Sequence, residues 1–182
     1  MKDQEKSKNV IGVILTRIED SGPEVVYNVS DLAEDVAMML SIQSFTMIAL
    51  GEGAPEGVYG PIPVPQMENL HALVYTFLTS GVDSEDIRVQ EHGRQNGLFM
   101  VFPRDYLRYE SQLIDSLKPY IQSYLAMGEL TLERVHILRD LISSSVIFNF
   151  DIVSEYQNEI QRLKREIERL EKTIEELKKK KS

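Results

Sequence analysis

The chain of 182 residues contains no cysteine, no tryptophan and three histidines. Without cysteine it cannot form a disulfide, use a thiol in catalysis or bind zinc through thiolates. It also has no apolar run long enough to span a bilayer. The first ten residues, MKDQEKSKNV, are charged and lack the apolar stretch of a secretion signal, so we expect a cytoplasmic protein.

The sequence contains no arrangement typical of a reaction centre. His71, His92 and His136 are too scattered for a local metal motif. A glycine-containing segment, GEGAPEG at 51–57, carries two glutamates and no Lys-Ser or Lys-Thr pair, so it does not fit a phosphate-binding loop. Arg88, His92 and Arg94 could meet an anion, but neighbouring acidic residues favour a surface that neutralises itself. We therefore expect no enzymatic activity, no cofactor and no metal.

Charge is distributed unevenly along the chain. Residues 151–182 hold 9 Lys/Arg and 8 Asp/Glu, which leaves 11 of the 20 basic and 21 of the 29 acidic residues before Asp151, a net charge of −10 there. This acidic part would repel a phosphate backbone, which argues against nucleic-acid binding. Lysines at 178–181 form a basic cluster that is typical of a solvated chain end.

Runs of β-branched and aromatic residues predict the strands. Residues 9–18 form a nearly continuous apolar run typical of a central strand, and residues 24–29 follow a Gly-Pro turn as the return strand of a hairpin. The remaining expected strands lie at 69–80, 87–93 and 98–103, with Asn96-Gly97 as a hairpin turn between the last two. Alternating prolines at 61, 63 and 65 favour an edge strand or a polyproline segment over a central strand.

Three helices are predicted before residue 150, at about 31–50, 105–127 and 131–148. Ser30 or Asp31 would cap the first, and Pro119 is expected to kink or split the second. The apolar residues of the first helix wrap most of the way round in its second half. Either another helix of the chain covers this part or it is a partner surface, whose candidate residues are Ile42, Phe45, Met47 and Ile48.

The last segment has a heptad pattern. Its apolar residues recur at alternating spacings of 3 and 4, which is the a/d pattern of a coiled coil. The a positions are Val153, Ile160, Ile167 and Ile174, and the d positions are Tyr156, Leu163, Leu170 and Leu177. β-branched a with Leu d favours a parallel dimer, but Glu166 at g would face Glu171 at e, so an antiparallel or heteromeric partner stays open. The other alternative, that the segment packs back on its own domain, fits less well because the seam is narrow.

The element order, with the strings SGPEVVYNV (21–29), LHALVYTFL (70–78) and LFMVFP (98–103), resembles the longin domain, a profilin-like fold, and the related roadblock fold. The resemblance covers about residues 9–127. It implies an α+β fold in which helices flank an antiparallel sheet, and a non-enzymatic platform, since longin and roadblock domains bind small GTPases, traffic components or one another. The helix at 131–148 and the coiled-coil segment depart from a minimal longin domain. The family has no catalytic residues to carry over.

We therefore expect a disordered N-terminus (1–8), a longin-like domain (9–150) and a long coiled-coil helix (151–182). The leading functional hypothesis is a cytoplasmic protein-interaction module that forms a homodimer through the coiled coil and binds a protein such as a small GTPase, with no nucleic acid and no membrane span. The alternative is a regulatory domain that senses a small molecule and signals through the coil. A large polar-lined pocket on the sheet would favour sensing, whereas a solid core with an exposed apolar helix face would favour a protein platform.

Overall fold

The computed structural model describes residues 12–50, 56–126, 128 and 130–180. It has an α+β fold built on a five-stranded antiparallel sheet, as predicted. The strands are β1 (Gly12–Glu19), β2 (Gly22–Val29), β3 (Gly57–Pro63), β4 (Leu70–Thr79) and β5 (Arg94–Pro103). The helices are α1 (Glu34–Leu50), α2 (Ile87–His92), α3 (Glu110–Ala126) and α4 (Leu132–Lys180), and a 3-10 helix spans Arg104–Tyr109. The predicted disordered N-terminus, 1–8, lies outside the described residues.

The strand order is β2-β1-β5-β4-β3. β1 and β2 form the predicted hairpin, and β1 also pairs with β5, so β1 is a central strand. β3, which contains Pro61 and Pro63, lies at an edge of the sheet and pairs with β4. This confirms the edge-strand alternative: proline has no N–H for the ladder and is tolerated where one side of the strand is unpaired.

The two faces of the sheet bury different sets of side chains, because successive residues of a strand point to opposite faces. One face packs against α1: Ile14, Val74 and Phe99 of the sheet lie in the same buried apolar cluster as Leu40 and Phe45 of α1. The opposite face carries a second set of buried residues: Leu15, Leu73, Leu98 and Met100. Ile121 of α3 and Val135, Leu138 and Ile142 of α4 are also buried.

Two predicted elements in the segment that follows β4 are wrong. Residues 87–93, predicted as a strand, form helix α2 and its C-cap: the Asp86 carboxylate accepts a hydrogen bond from the Arg88 N–H at the start, and Gly93 ends the helix with φ of 87°. Such caps satisfy backbone groups that the first and last turns leave unpaired. Asn96-Gly97, predicted as a hairpin turn, lies inside β5, opposite Thr76 and Phe77 of β4.

Gly97 lies within a strand and is closely surrounded by neighbouring side chains. A Cβ atom built there would lie 3.0 Å from Cε2 of Phe99, 3.1 Å from Cζ of Phe45 and 3.1 Å from Oγ1 of Thr16. The two rings meet edge to face, with centroids 6.3 Å apart. A strand glycine of this kind marks a close approach of neighbouring groups.

The predicted helix boundaries are less accurate than the predicted helices. α1 begins at Glu34 and not at about 31, because the Ser30 hydroxyl accepts the Leu32 N–H in a turn before the helix. The second helix is preceded by the 3-10 turn and continues through Pro119, so this proline does not split it. The chain divides into two compact units, Met1–Ser143 and Ser144–Ser182, and this division falls within α4, as does the predicted boundary at 150/151.

Candidate functional site

The second unit presents four apolar side chains of the predicted seam to solvent. Ile160, Leu163, Ile167 and Leu170 are each between 47 and 57% exposed. At 1.5 Å per residue, these positions span about 15 Å along the helix. The side chains at the other four seam positions, 153, 156, 174 and 177, lie outside those described. Exposed isoleucine and leucine at this regular spacing do not stabilise an isolated helix. Such a row is typical of a surface that contacts another helix.

Charged residues flank this row. Glu159 and Arg162 form an ion pair within the helix, with their charged atoms 3.3 Å apart. Lys164, Glu166 and Glu171 are exposed on either side of the apolar row. Charges in these positions do little for the stability of an isolated helix, but in a coiled coil they determine which partner fits and in which direction.

The candidate partner surface on α1 is divided by the fold. Ile42 and Met47 are exposed, at 48 and 54%, as the prediction requires. Phe45 and Ile48, at 6 and 9%, lie in the apolar cluster between α1 and the sheet and are therefore unavailable to a partner in the folded chain. The sheet thus covers half of the predicted surface, and binding by Ile42 and Met47 stays a prediction.

A cavity of about 720 Å³ lies on the sheet face opposite α1. Apolar side chains line part of it, among them Leu15, Tyr75 and Phe77 of the sheet, Leu125 of α3 and Leu130 after that helix. Its size is within the range typical of small-molecule pockets.

One end of the cavity is polar and well connected. Asn96 is buried and donates from Nδ2 to Oγ1 of Thr79 at 2.9 Å, while its Oδ1 accepts from Nε of Arg17 at 3.2 Å. Arg94 is also buried, and its guanidinium pairs with the Glu19 carboxylate and donates to the Ile18 carbonyl. These contacts fix the polar groups in place, which is what a pre-formed binding site requires.

This polar end was not predicted from the sequence, where Arg94 was grouped with Arg88 and His92 and Asn96 was placed in a turn. Arg88 pairs with Asp86 at 2.8 Å, as expected for a surface that neutralises itself, and this hydrogen bond lowers the pKa of the Asp86 carboxyl. Alternation along the full length of β5 would have placed positions 94 and 96 on the same face as Leu98.

The pKa of His71 is lowered. This residue lies in β4, and burial together with the positive charge of Arg104 lowers its pKa below the usual 6.5. Its Nδ1 is buried without a hydrogen-bond partner among the described residues. Within the described ranges, no group of three or more His, Asp or Glu side chains is placed to hold a metal ion. None of the described helices combines the length and apolar composition needed to cross a bilayer.

Comparison with known proteins gives no family assignment. No family model, no curated protein sequence and no solved structure matches the chain.

Proposed function

We propose that this protein is a non-enzymatic interaction module that self-associates through a coiled coil formed by residues 153–177. The observation that carries the proposal is the row of half-exposed apolar residues, Ile160, Leu163, Ile167 and Leu170. Burying the rest of each side chain would contribute about 1 kcal/mol, since complete burial is worth about 1.5–3 kcal/mol. A second helix of the same kind offers a matching surface.

The first unit would provide the platform that this coil brings together. Its hairpin, following helix and remaining strands occur in the order that the resemblance to longin domains implies. On this basis, we propose a longin-like platform in the cytoplasm that binds a small GTPase or a similar protein. The exposed residues Ile42 and Met47 of α1 are the candidate contacts.

Sedimentation equilibrium tests the self-association. Ile167→Asp combined with Leu170→Asp places two carboxylates in the seam, and burying an unpaired charge there is too costly for the coil to form. The matched control, Asn158→Asp with Gln161→Asp, adds the same charge at f and b positions outside the seam. We expect a monomer for the seam variant and a dimer for both the control and the unaltered chain; equal masses for all three would contradict the proposal.

The cavity supports a second candidate function, a regulatory domain that senses a small molecule. Its apolar wall and fixed polar end suit a ligand with both characters. Gln122→Trp would fill the cavity from α3, whereas the exposed neighbour Ser123 does not line it, so Ser123→Trp serves as the control. A metabolite that raises the unfolding temperature of the control but not of the Gln122 variant would establish sensing. If no metabolite in a broad panel of small amphipathic compounds does so, this candidate fails.

A further inference from the structure

We propose that the two copies of the coiled-coil segment run antiparallel, offset by one heptad so that Lys164 of each copy faces Glu171 of the other. This inference rests on the proposed self-association and adds its direction and register. No a position of the seam holds a polar residue that would fix the register. The residues flanking the seam, at positions e and g, therefore decide between arrangements of similar core quality.

In a parallel dimer, each g residue faces the e residue five positions later in the second copy. Glu159 would then face Lys164, which is attractive, but Glu166 would face Glu171, which is repulsive. The contact between Glu159 and Lys164 gains less, because the Glu159 carboxylate already forms an ion pair with Arg162 of its own helix at 3.3 Å. The parallel arrangement therefore gains little from its flanking charges.

In an antiparallel dimer, e residues face e residues and g residues face g residues. With the segments fully overlapped, Lys164 would face Lys164 of the second copy, and Glu166 would face Glu166. Both contacts are repulsive. By its flanking charges, this register is less favourable than the parallel dimer.

Moving the antiparallel helices by one heptad removes these repulsions. Lys164 then faces Glu171 twice, by symmetry. Glu159 approaches Lys180 at the ends of the coil, a contact that the Arg162 pair weakens in the same way. Glu166 faces the uncharged position 173. Lys164 and Glu171 are both exposed on the helix surface and accessible to the second copy.

The offset keeps most of the core. Its layers, each formed twice, pair Ile160 with Leu177, Leu163 with Ile174 and Ile167 with Leu170. Every layer then combines one isoleucine with one leucine, and the layers containing Val153 and Tyr156 are given up. β-branched residues at a with leucine at d favour parallel pairing, but that arrangement retains the repulsion between Glu166 and Glu171.

The charge of the rest of the chain acts in the same direction. In a parallel coil, chain connectivity attaches both N-terminal parts at the same end, and each part carries a net charge of −10 before Asp151. In an antiparallel coil they are attached at opposite ends. Screening makes this contribution modest at physiological salt.

Reversal of the charge at Glu171 separates the arrangements by the sign of its effect. In the proposed register, Glu171→Lys turns two attractions into repulsions, and we expect the dissociation constant of the full-length dimer to rise on the order of tenfold. In the parallel dimer the same change removes two repulsions and tightens the dimer. In the fully overlapped antiparallel register, position 171 faces the neutral Gln157, and the constant barely changes.

The controls use the same assay. Glu168→Lys makes the same charge change at a b position, away from the seam, and should leave the dissociation constant within about twofold. Adding Lys164→Glu to Glu171→Lys restores the attraction with its signs exchanged and should recover the original affinity. A tighter or unchanged dimer for Glu171→Lys alone would overturn the proposed register.

Distances between spin labels provide an independent measurement. Because the chain has no cysteine, one introduced at position 158 or 179 (both f positions) is the sole labelling site. The offset antiparallel coil separates the two labels along the axis by about 32 Å at both positions, at 1.5 Å per residue. Full antiparallel overlap gives about 21 Å at one position and 42 Å at the other, and the parallel dimer gives no axial separation at either. Either of the last two patterns overturns the inference, and a monomer overturns the proposed self-association as well.

Discussion

Substitution of Gly97 by alanine tests whether this glycine is present for space. The added methyl group would meet the rings of Phe99 and Phe45 at 3.0 and 3.1 Å, closer than ordinary van der Waals contact. Overpacking of this kind costs about 1–3 kcal/mol. Alanine also reduces the backbone entropy of the unfolded chain, which offsets about 0.5–1 kcal/mol. We therefore expect Gly97→Ala to lower the free energy of unfolding by about 1 kcal/mol, within limits of roughly 0–2.5 kcal/mol.

The assay is guanidinium unfolding followed by tyrosine fluorescence, because the chain has no tryptophan. Protein concentration is kept constant, since association shifts apparent stability. Gly57→Ala is the matched control: its added Cβ would lie no closer than 3.6 Å to Tyr59, and we expect it to be neutral or slightly stabilising.

A double-mutant cycle identifies the cause of the loss. Phe45→Leu removes the ring atom that the new methyl group would meet, so Gly97→Ala should cost at least ~0.5 kcal/mol less in that background. If position 97 instead needed the backbone conformation of a turn, the loss would be the same with phenylalanine or leucine at 45. An additive cycle, or a Gly97 variant as stable as the Gly57 control, would refute the packing argument.

Two further predictions concern α1 and β4. Phe45→Asp should destabilise the first unit by about 3–5 kcal/mol in chemical unfolding, whereas Met47→Asp should change its stability by less than ~0.5 kcal/mol; similar effects would contradict the assignment of one to the core and the other to the surface. The pKa of His71 is lower in the folded chain than in the unfolded chain, so below about pH 6.5 the unfolded chain takes up a proton there more readily. The free energy of unfolding should therefore decrease as the pH is lowered through this window. His71→Gln should reduce that slope, and an unchanged slope in this variant would refute the assignment.

Much of the fold follows from local sequence. The predicted strand at 69–80 and the observed β4 (Leu70–Thr79) nearly coincide, because a long run of β-branched and aromatic residues bounded by turn residues is typical of a strand. The hairpin of β1 and β2 and the edge position of the proline-containing strand were predicted for similar reasons.

The errors occur where distant residues decide. Asn96-Gly97 has the composition of a turn, yet Arg17 of β1 and Thr79 of β4 hydrogen-bond the Asn96 side chain within the sheet. No local pattern shows those partners. The short α2 was missed because six residues are too few for helical periodicity to appear, although Asp86 before it and Gly93 after it are typical cap residues.

The seam and the cavity also differ in how far local sequence predicts them. The seam depends on spacing along one segment, and the sequence predicted its positions; four of them are now seen to be exposed. Formation of the coil itself stays a prediction. The cavity depends on the register among β1, β4 and β5, which brings Arg17, Thr79 and Asn96 together, and was not predicted.

During synthesis, β1 cannot pair with β5 until the ribosome has made the residues between them. Thr16 and Gly97, joined by a hydrogen bond across these strands, are 81 residues apart. At ~5–20 residues per second, the ribosome would need roughly 4–16 s to deliver β5 after β1. During that interval β1 can pair with β2 on one side, while its other edge, apolar and rich in unpaired backbone groups, is open to any strand that approaches. Until β5 has been made, the nascent chain therefore exposes the edge of a strand that is central in the folded sheet.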